Sequence, residues 1–281
     1  MGNKIRHVFT FQMKLAYTNQ RIRLIFILAA IFVFSNLQGV LEFSQDVGIP
    51  VAPWAFPHIT SDYICQLVIM AGATALFCDA PFKSDIQKYI LPRAGYTAWT
   101  AGQCLYIAAL SFLYIFTVFL FSIVPLLPNI GVQNSWGKIW GTLARYAVAP
   151  QYGIMFSVDD YVIGAYTPIQ ATILSFLLSW SCCIWLGLIT YFLNDATNSC
   201  IGTFTSAGFV LLDITVANEW LPCFYKISPV TLAQLQALKG NNSLYELTLG
   251  YAFWFLGISI ICLSAACILI PKFKSFRRVD K

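Results

Sequence analysis

From Ala101 to Leu127 the chain carries no charged side chain. A helix needs about 20 mostly apolar residues to cross the hydrocarbon core of a bilayer, and this stretch is long enough to do so while tilted or bent near Pro125. Comparable runs recur from about Leu24 to Val40, Tyr63 to Cys78, Pro168 to Leu193, Cys200 to Ala217 and Thr248 to Ile270. They are continuous and do not alternate, which argues against a β-barrel. Charged residues make up 10% of the chain. That is well below the ~25% of soluble domains and too few to cover a globular surface of this size. The expected fold is an all-α polytopic membrane protein. Residues 1–281 form a single membrane domain with six transmembrane helices, and the expected location is the cell membrane.

Six spans put both termini on one side, and the basic residues say which. Lys4, Arg6, Lys14, Arg21 and Arg23 precede the first span. Lys83, Lys88 and Arg93 lie between the second and third, and Lys272, Lys274, Arg277, Arg278 and Lys281 follow the sixth. Only Lys138, Arg145, Lys226 and Lys239 fall on the other side. The excess of positive charge belongs in the cytoplasm, so both termini and the segment 79–99 are expected there. The net charge of +5 follows from this topology and does not point to nucleic acid. The basic start and the absence of a small-x-small site argue against a cleavable signal.

The connections carry their own patterns. In residues 1–23, Lys4, His7, Lys14, Thr18 and Arg21 share one helical face, and Ile5, Val8, Phe9, Met13 and Ala16 another. This spacing suits an amphipathic helix lying on the inner membrane surface, or a basic flank that only orients the first span. In the segment 79–99, Pro81 can open a short helix that Pro92 and Gly95 close. Phe82, Ile86, Tyr89 and Ile90 would form its apolar face, with Lys83, Asp85, Gln87 and Lys88 opposite. It reads equally as a helix parallel to the membrane or as a plain loop anchored by headgroups. In the external connection 128–166, Trp136, Ile139, Trp140, Leu143 and Tyr146 form a stripe that predicts an interfacial helix with its tryptophans at headgroup level. In the external connection 219–247, Ser228-Pro229 and Gly240 bracket a predicted short helix. The tail 271–281 is basic.

Material for catalysis is scarce. The nine cysteines fall mostly inside apolar runs without C-x-x-C spacing, and only two histidines occur. They read as core residues, not metal ligands. No nucleotide-binding glycine loop or hydrolase motif is present. Asp159-Asp160 reads as a solvated acidic turn. Asp213 is the one acid within a span, close to its outer end. It is a candidate intramembrane polar site, or a side chain that simply reaches interfacial water. Gly202, Ser206 and Gly208 on the same span suggest close helix packing.

The layout resembles the membrane subunit of ABC-2 type transporters, in the form of small permeases from Gram-positive bacteria. The resemblance is carried by residues 1–23, by Ser228-Pro229-Val230-Thr231 in the outer connection, and by the pattern Pro81-Phe82, Asp85-Ile86, Leu91-x-Arg93-x-Gly95, Trp99 and Gly102-Gln103. It implies an ATP-driven exporter in which this chain forms the translocation path and is not itself an enzyme. Two such subunits, as a homodimer or heterodimer, would pair with a separate ATP-binding subunit. ATP and Mg would sit on that partner, and no cofactor would bind here. Phe82, Lys83, Asp85, Lys88 and Arg93 would form the ATPase-coupling surface. A different class of reading is a non-transporting protein that binds a partner within the membrane, such as an immunity or assembly factor.

Overall fold

The structure, a computed structural model, describes residues 1–82, 87–240 and 246–279. Its elements in order are α1 (Gly2–Thr18), α2 (Gln20–Val47), α3 (Phe56–Ser61), α4 (Tyr63–Phe77), α5 (Gln87–Ala94), α6 (Tyr96–Ile123), α7 (Gly137–Arg145), α8 (Asp160–Ala165), α9 (Pro168–Thr197), α10 (Ile201–Ala217) and α11 (Leu249–Val279). Short 3-10 turns lie between them, the longest being Val124–Asn129 after α6. Among the described residues there is no strand, only one bridge between Val51 and Ile130.

Four helices are long and apolar enough to cross a membrane: Gln20–Val47, Tyr96–Asn129, Pro168–Thr197 and the portion Leu249–Leu269 of α11. The other two apolar helices are shorter, 15 residues in α4 and 17 in α10. At 1.5 Å per residue they measure about 22 and 25 Å, against a hydrocarbon core of about 30 Å. Local chemistry sets the ends. The Asn19 side chain caps α2 at Arg21 N, and Gly48, at φ 68°, closes it. The first apolar helix therefore extends beyond Leu24 and Val40 on both sides, because caps and not hydropathy terminate it. Thr167 and Gln170 form a reciprocal capping box at the start of α9, with Pro168 in the first turn.

Polar contacts sort the ends of the six apolar helices into two sets. At one end Arg21 pairs with Asp79, and Asn194 and Thr203 bond to the carbonyls of Ala80 and Cys78. At the other, Asn129 bonds to Ser44, and Asp213 to Thr231. Tyr251, at the start of α11, bonds there to the Lys226 carbonyl. Consecutive apolar helices therefore run in opposite directions. Between the two ends the outward side chains are apolar, including Leu28 and Ile31 on α2, Leu113 on α6, Ile173 on α9 and Ile261 on α11. Continuous apolar exposure of this kind suits lipid and not water.

Helix α1 lies against α6. Val8, Gln12 and Ala16 are buried, and a Cβ on Gly102 would come within 2.6 Å of Val8 Cγ1. The apolar face expected in residues 1–23 is thus turned, at Val8 and Ala16, against protein. Of the small residues on α10, Gly202 abuts the Thr190 carbonyl of α9 and Ser206 is buried, but Gly208 faces open space. The expectation of packing at Gly208 is not met.

The Trp stripe of α7 also turns inward. Trp140 and Ile139 are almost completely buried, Leu143 and Trp136 nearly so, and only Tyr146 remains exposed. The indole N–H groups donate to the Ala52 and Tyr166 carbonyls at 2.9 and 3.0 Å. These tryptophans serve a protein layer and not the headgroups. His58 packs against both rings in tilted contacts, at centroid distances of 4.8 and 4.9 Å.

Replacing Gly102 by Ala should destabilise the detergent-solubilised protein by about 1–3 kcal/mol, through the forced contact with Val8. Gly208→Ala should be neutral or stabilise by up to about 1 kcal/mol. Thermal unfolding of the two variants beside wild type measures the contrast. Burial also lowers the His58 pKa to about 3, so the folded state resists a proton that the unfolded chain takes up below about pH 6.5. Stability should fall by about 1.4 kcal/mol per pH unit as pH drops below 6.5. His58→Phe should remove that part of the slope in a pH series of unfolding curves.

Candidate coupling surface and the buried aspartate

The segment after α4 is held by contacts from distant parts of the chain. Arg21 Nη1 meets Asp79 at 2.5 Å and donates to Cys78 Sγ at 3.0 Å. Exposed pairs of this kind are worth only about 0–1 kcal/mol, so the firmer hold comes from below. Asn194, buried on α9, donates to the Ala80 carbonyl at 2.9 Å and accepts from the Gly202 N–H at 2.7 Å. Thr203 donates to the Cys78 carbonyl at 3.2 Å. The turn leaving α4 is therefore tied to the α9–α10 corner.

Phe82 packs edge-on against Tyr106 of α6, with centroids 5.0 Å apart. Lys83 and Asp85 lie outside the described residues. Lys88 falls on α5, but its side chain lies outside the description. Arg93 is exposed on the last turn of α5, and its carbonyl accepts from Lys4 Nζ at 3.0 Å. The helix runs past the expected end at Leu91 to Ala94. Pro81 sits in a turn, Pro92 is inside α5, and the chain breaks at Gly95, which has φ 84°. Pro92 stands inside α5 without stopping it, whereas a residue at φ 84° cannot continue a helix, and glycine adopts that angle readily. Helix α5 contacts both α1 and α6.

At the other end Asp213 is completely buried. Thr231 donates to Oδ1 at 2.6 Å and Gln234 donates to Oδ2 at 2.8 Å. The Ser228 and Thr231 hydroxyls lie 2.9 Å apart, so with the Thr231 proton on Asp213 it is Ser228 that donates to Thr231. Asp213 therefore does not reach interfacial water. It anchors the segment between α10 and α11, whose residues 228–235 are all buried. The helix expected over 229–239 is replaced by two 3-10 turns, Thr231–Ala233 and Leu235–Ala237, separated by extended backbone at Gln234. This chain path brings two donors to one carboxylate. A polar cavity of about 330 Å³ lies beside it, lined by Tyr63, Asp159, Glu219, Gln236 and Lys239 among others.

Asp159 is not a merely solvated acid. It caps α8 at Tyr161 N and pairs with Lys239 at 2.6 Å, while Asp160 pairs with Arg145 at 3.3 Å. Two structural residues escaped the sequence reading. Asp62 is buried, caps α4 through Ile64 N and Cys65 N, and accepts from the N–H and hydroxyl of Ser157. An acid directly before an apolar run was a legible cap signal. Asn194 had no such signal, because its partner Ala80 is remote in sequence. The buried set Cys65, Cys182, Cys183 and Cys267 agrees with the core reading of the cysteines, whereas Cys200, Cys223 and Cys262 are exposed.

Comparison of the chain with protein-family models, curated proteins and solved structures yields no match.

Removing the Asp213 carboxylate leaves two buried donors unpaired. Asp213→Ala should cost about 2–5 kcal/mol, and Asp213→Asn, which keeps one acceptor, about half as much. Thermal unfolding in detergent gives the order. Limited proteolysis within 219–247 should show that segment loosened first.

Proposed function

We propose that this chain is the membrane-spanning permease subunit of an ABC-2 type ATP-driven exporter, forming the translocation path and coupling to a separate ATPase subunit. The observation that carries the reading is the linkage around α5. This short helix follows the turn after α4, touches α1 and α6, and lies beside an α1 whose Lys4 bonds to the Arg93 carbonyl. The turn before it is tied to the α9–α10 corner through Asn194 and Thr203. A push on α5 would therefore reach α1, α4, α6, α9 and α10 together, as a coupling element requires.

In this reading all six apolar helices span the cell membrane, both termini are cytoplasmic, and α1 lies along the inner leaflet. The two shorter helices suit the assignment because the buried segment 228–238 packs against α3, α9 and α10 where α10 ends. Irregular backbone at such a depth is tolerated when protein encloses it. The permease would act as a homodimer or heterodimer. The partner ATPase would hold ATP and Mg, and this chain would hydrolyse nothing. The coupling surface would comprise Phe82, Lys83, Asp85, Lys88 and Arg93. Asp213 would set the outer end of the path by holding the buried segment in place.

Affinity purification of the chain from its native membrane should bring down an ATP-binding subunit. Lys83→Glu, Lys88→Glu or Arg93→Glu should lower recovery of that subunit by about tenfold, the effect of losing one interfacial charge pair, or uncouple its ATP hydrolysis. Recovery of a different membrane partner with no ATPase would favour the immunity or assembly reading and overturn this one.

A further inference from the structure

Of the eight tryptophans, only Trp220 and Trp254 are exposed, each at 71%, and both stand at the Asp213 end of the apolar helices. Trp220 belongs to the connection 218–227 that follows α10. Trp254 is on the second turn of α11, which starts at the same end. Tyr251 joins the two segments, its hydroxyl donating to the Lys226 carbonyl at 2.9 Å. Leu221, Phe224 and Ile227 of the connection are exposed as well. Its outward side is therefore apolar and aromatic, and Glu219 and Lys226 are its only charges.

The length of α10 indicates what such a surface meets. With 17 residues it measures about 25 Å, about 5 Å less than the hydrocarbon core. Its flanks decide at which end the shortfall lies. Thr197, Asn198 and Ser199 before it are polar and exposed, which suits water. Residues 220–224 after it read Trp-Leu-Pro-Cys-Phe and are all exposed, which does not. The shortfall therefore falls at the Asp213 end, and the connection continues the apolar surface that α10 leaves short. Backbone pairing fits that depth, because backbone groups near lipid must be satisfied within the protein. The N–H groups of Trp220, Phe224 and Tyr225 donate to the Thr215, Leu221 and Pro222 carbonyls at 2.9, 3.1 and 3.2 Å. Those of Ile227 and Ser228 share the Phe224 carbonyl, both at 2.9 Å, and Pro222 has no N–H. Indole and phenol rings collect at the headgroup boundary, where an apolar body and a polar tip both find partners. Side chains on a helix tilt toward its N-terminus, which carries the Trp254 ring toward the same boundary.

We propose that the connection 218–227 and the first two turns of α11 form a membrane-interface surface. It lies at the headgroup–acyl boundary of the leaflet at the Asp213 end, with Trp220, Leu221 and Phe224 in the lipid and Glu219 and Lys226 reaching the headgroups. The aromatic belt expected of Trp136 and Trp140 is thus supplied by Trp220 and Trp254. The lipid holds the chain that leads into the segment bonded to Asp213. The inference needs the chain to lie in a membrane but not to be a permease, so the ATPase purification above can fail without touching it.

The test is tryptophan fluorescence of the full chain in phosphatidylcholine vesicles whose acyl chains carry bromine either near the glycerol or near the chain terminus. The difference between wild type and Trp220→Phe isolates the emission of Trp220, and Trp254→Phe isolates that of Trp254. Both should be quenched more by the shallow bromine than by the deep one, and little by iodide in the water. The double variant should lose most of the shallow quenching seen in wild type. Quenching of Trp220 by iodide and not by bromolipid would put the connection in water and overturn the proposal. Quenching by neither would mean that protein, such as a second copy of the chain, covers it, and stronger quenching by the deep bromine would put it in the hydrocarbon; either result overturns the proposal. Wild-type emission that both brominated lipids leave unchanged would overturn it even if no variant folds.

Discussion

The structure depends on pairing the carboxylates that it buries near one end of its apolar helices. Inside apolar surroundings an unpaired backbone or side-chain group costs about 1–3 kcal/mol or more. Asp213 shows how the requirement is met. It gives both carboxylate oxygens to Thr231 and Gln234, and in doing so it fixes the path of a buried segment that is not a regular helix. Asp62 plays the matching part at the start of α4, spending one oxygen on the helix N-terminus and the other on Ser157. Each acid closes an end that the apolar side chains could not position by themselves.

The opposite end is organised differently. There the ties are neutral and come from helices far along the chain, with Asn194 holding Ala80 and Thr203 holding Cys78. The ionic contact of Arg21 with Asp79 is partly exposed and adds little holding strength, but it places a cation and an anion beside the α1–α2 elbow. The short helix α5 inherits its position from these ties. That gives a mechanical basis to the proposed coupling role.

Much of the layout was legible. The uncharged run in α6 and the apolar stretch of α9 announced long helices, and the 3–4 residue spacing of residues 1–23 announced α1. The errors share one cause. The stripe Trp136, Trp140 and Leu143 has the spacing of an interfacial helix, yet it covers His58 and the segment around Ala52. Spacing reports that a face is apolar, not what lies against it. The helix expected after Ser228 failed in the same way: caps and propensities are local, whereas this segment is buried against α3, α9 and α10 and follows an irregular path there. The candidate coupling residues were legible as a polar interruption. The end of their helix was not, because Gly95 and not Pro92 sets it.

By itself the sequence determined the class of the molecule. So few charges and such long apolar runs leave a helical membrane protein as the physical solution, since lipid cannot satisfy open backbone groups. The caps at Asn19, Gly48, Asp62 and the Thr167–Gln170 box are local in sequence, yet they were recognised only in the structure. Only the tertiary structure decided that Asp213 is buried, that α7 faces protein, and that α1 packs against α6. These depend on contacts between residues distant along the chain, and a one-dimensional pattern records the chemistry of each residue but not its neighbour.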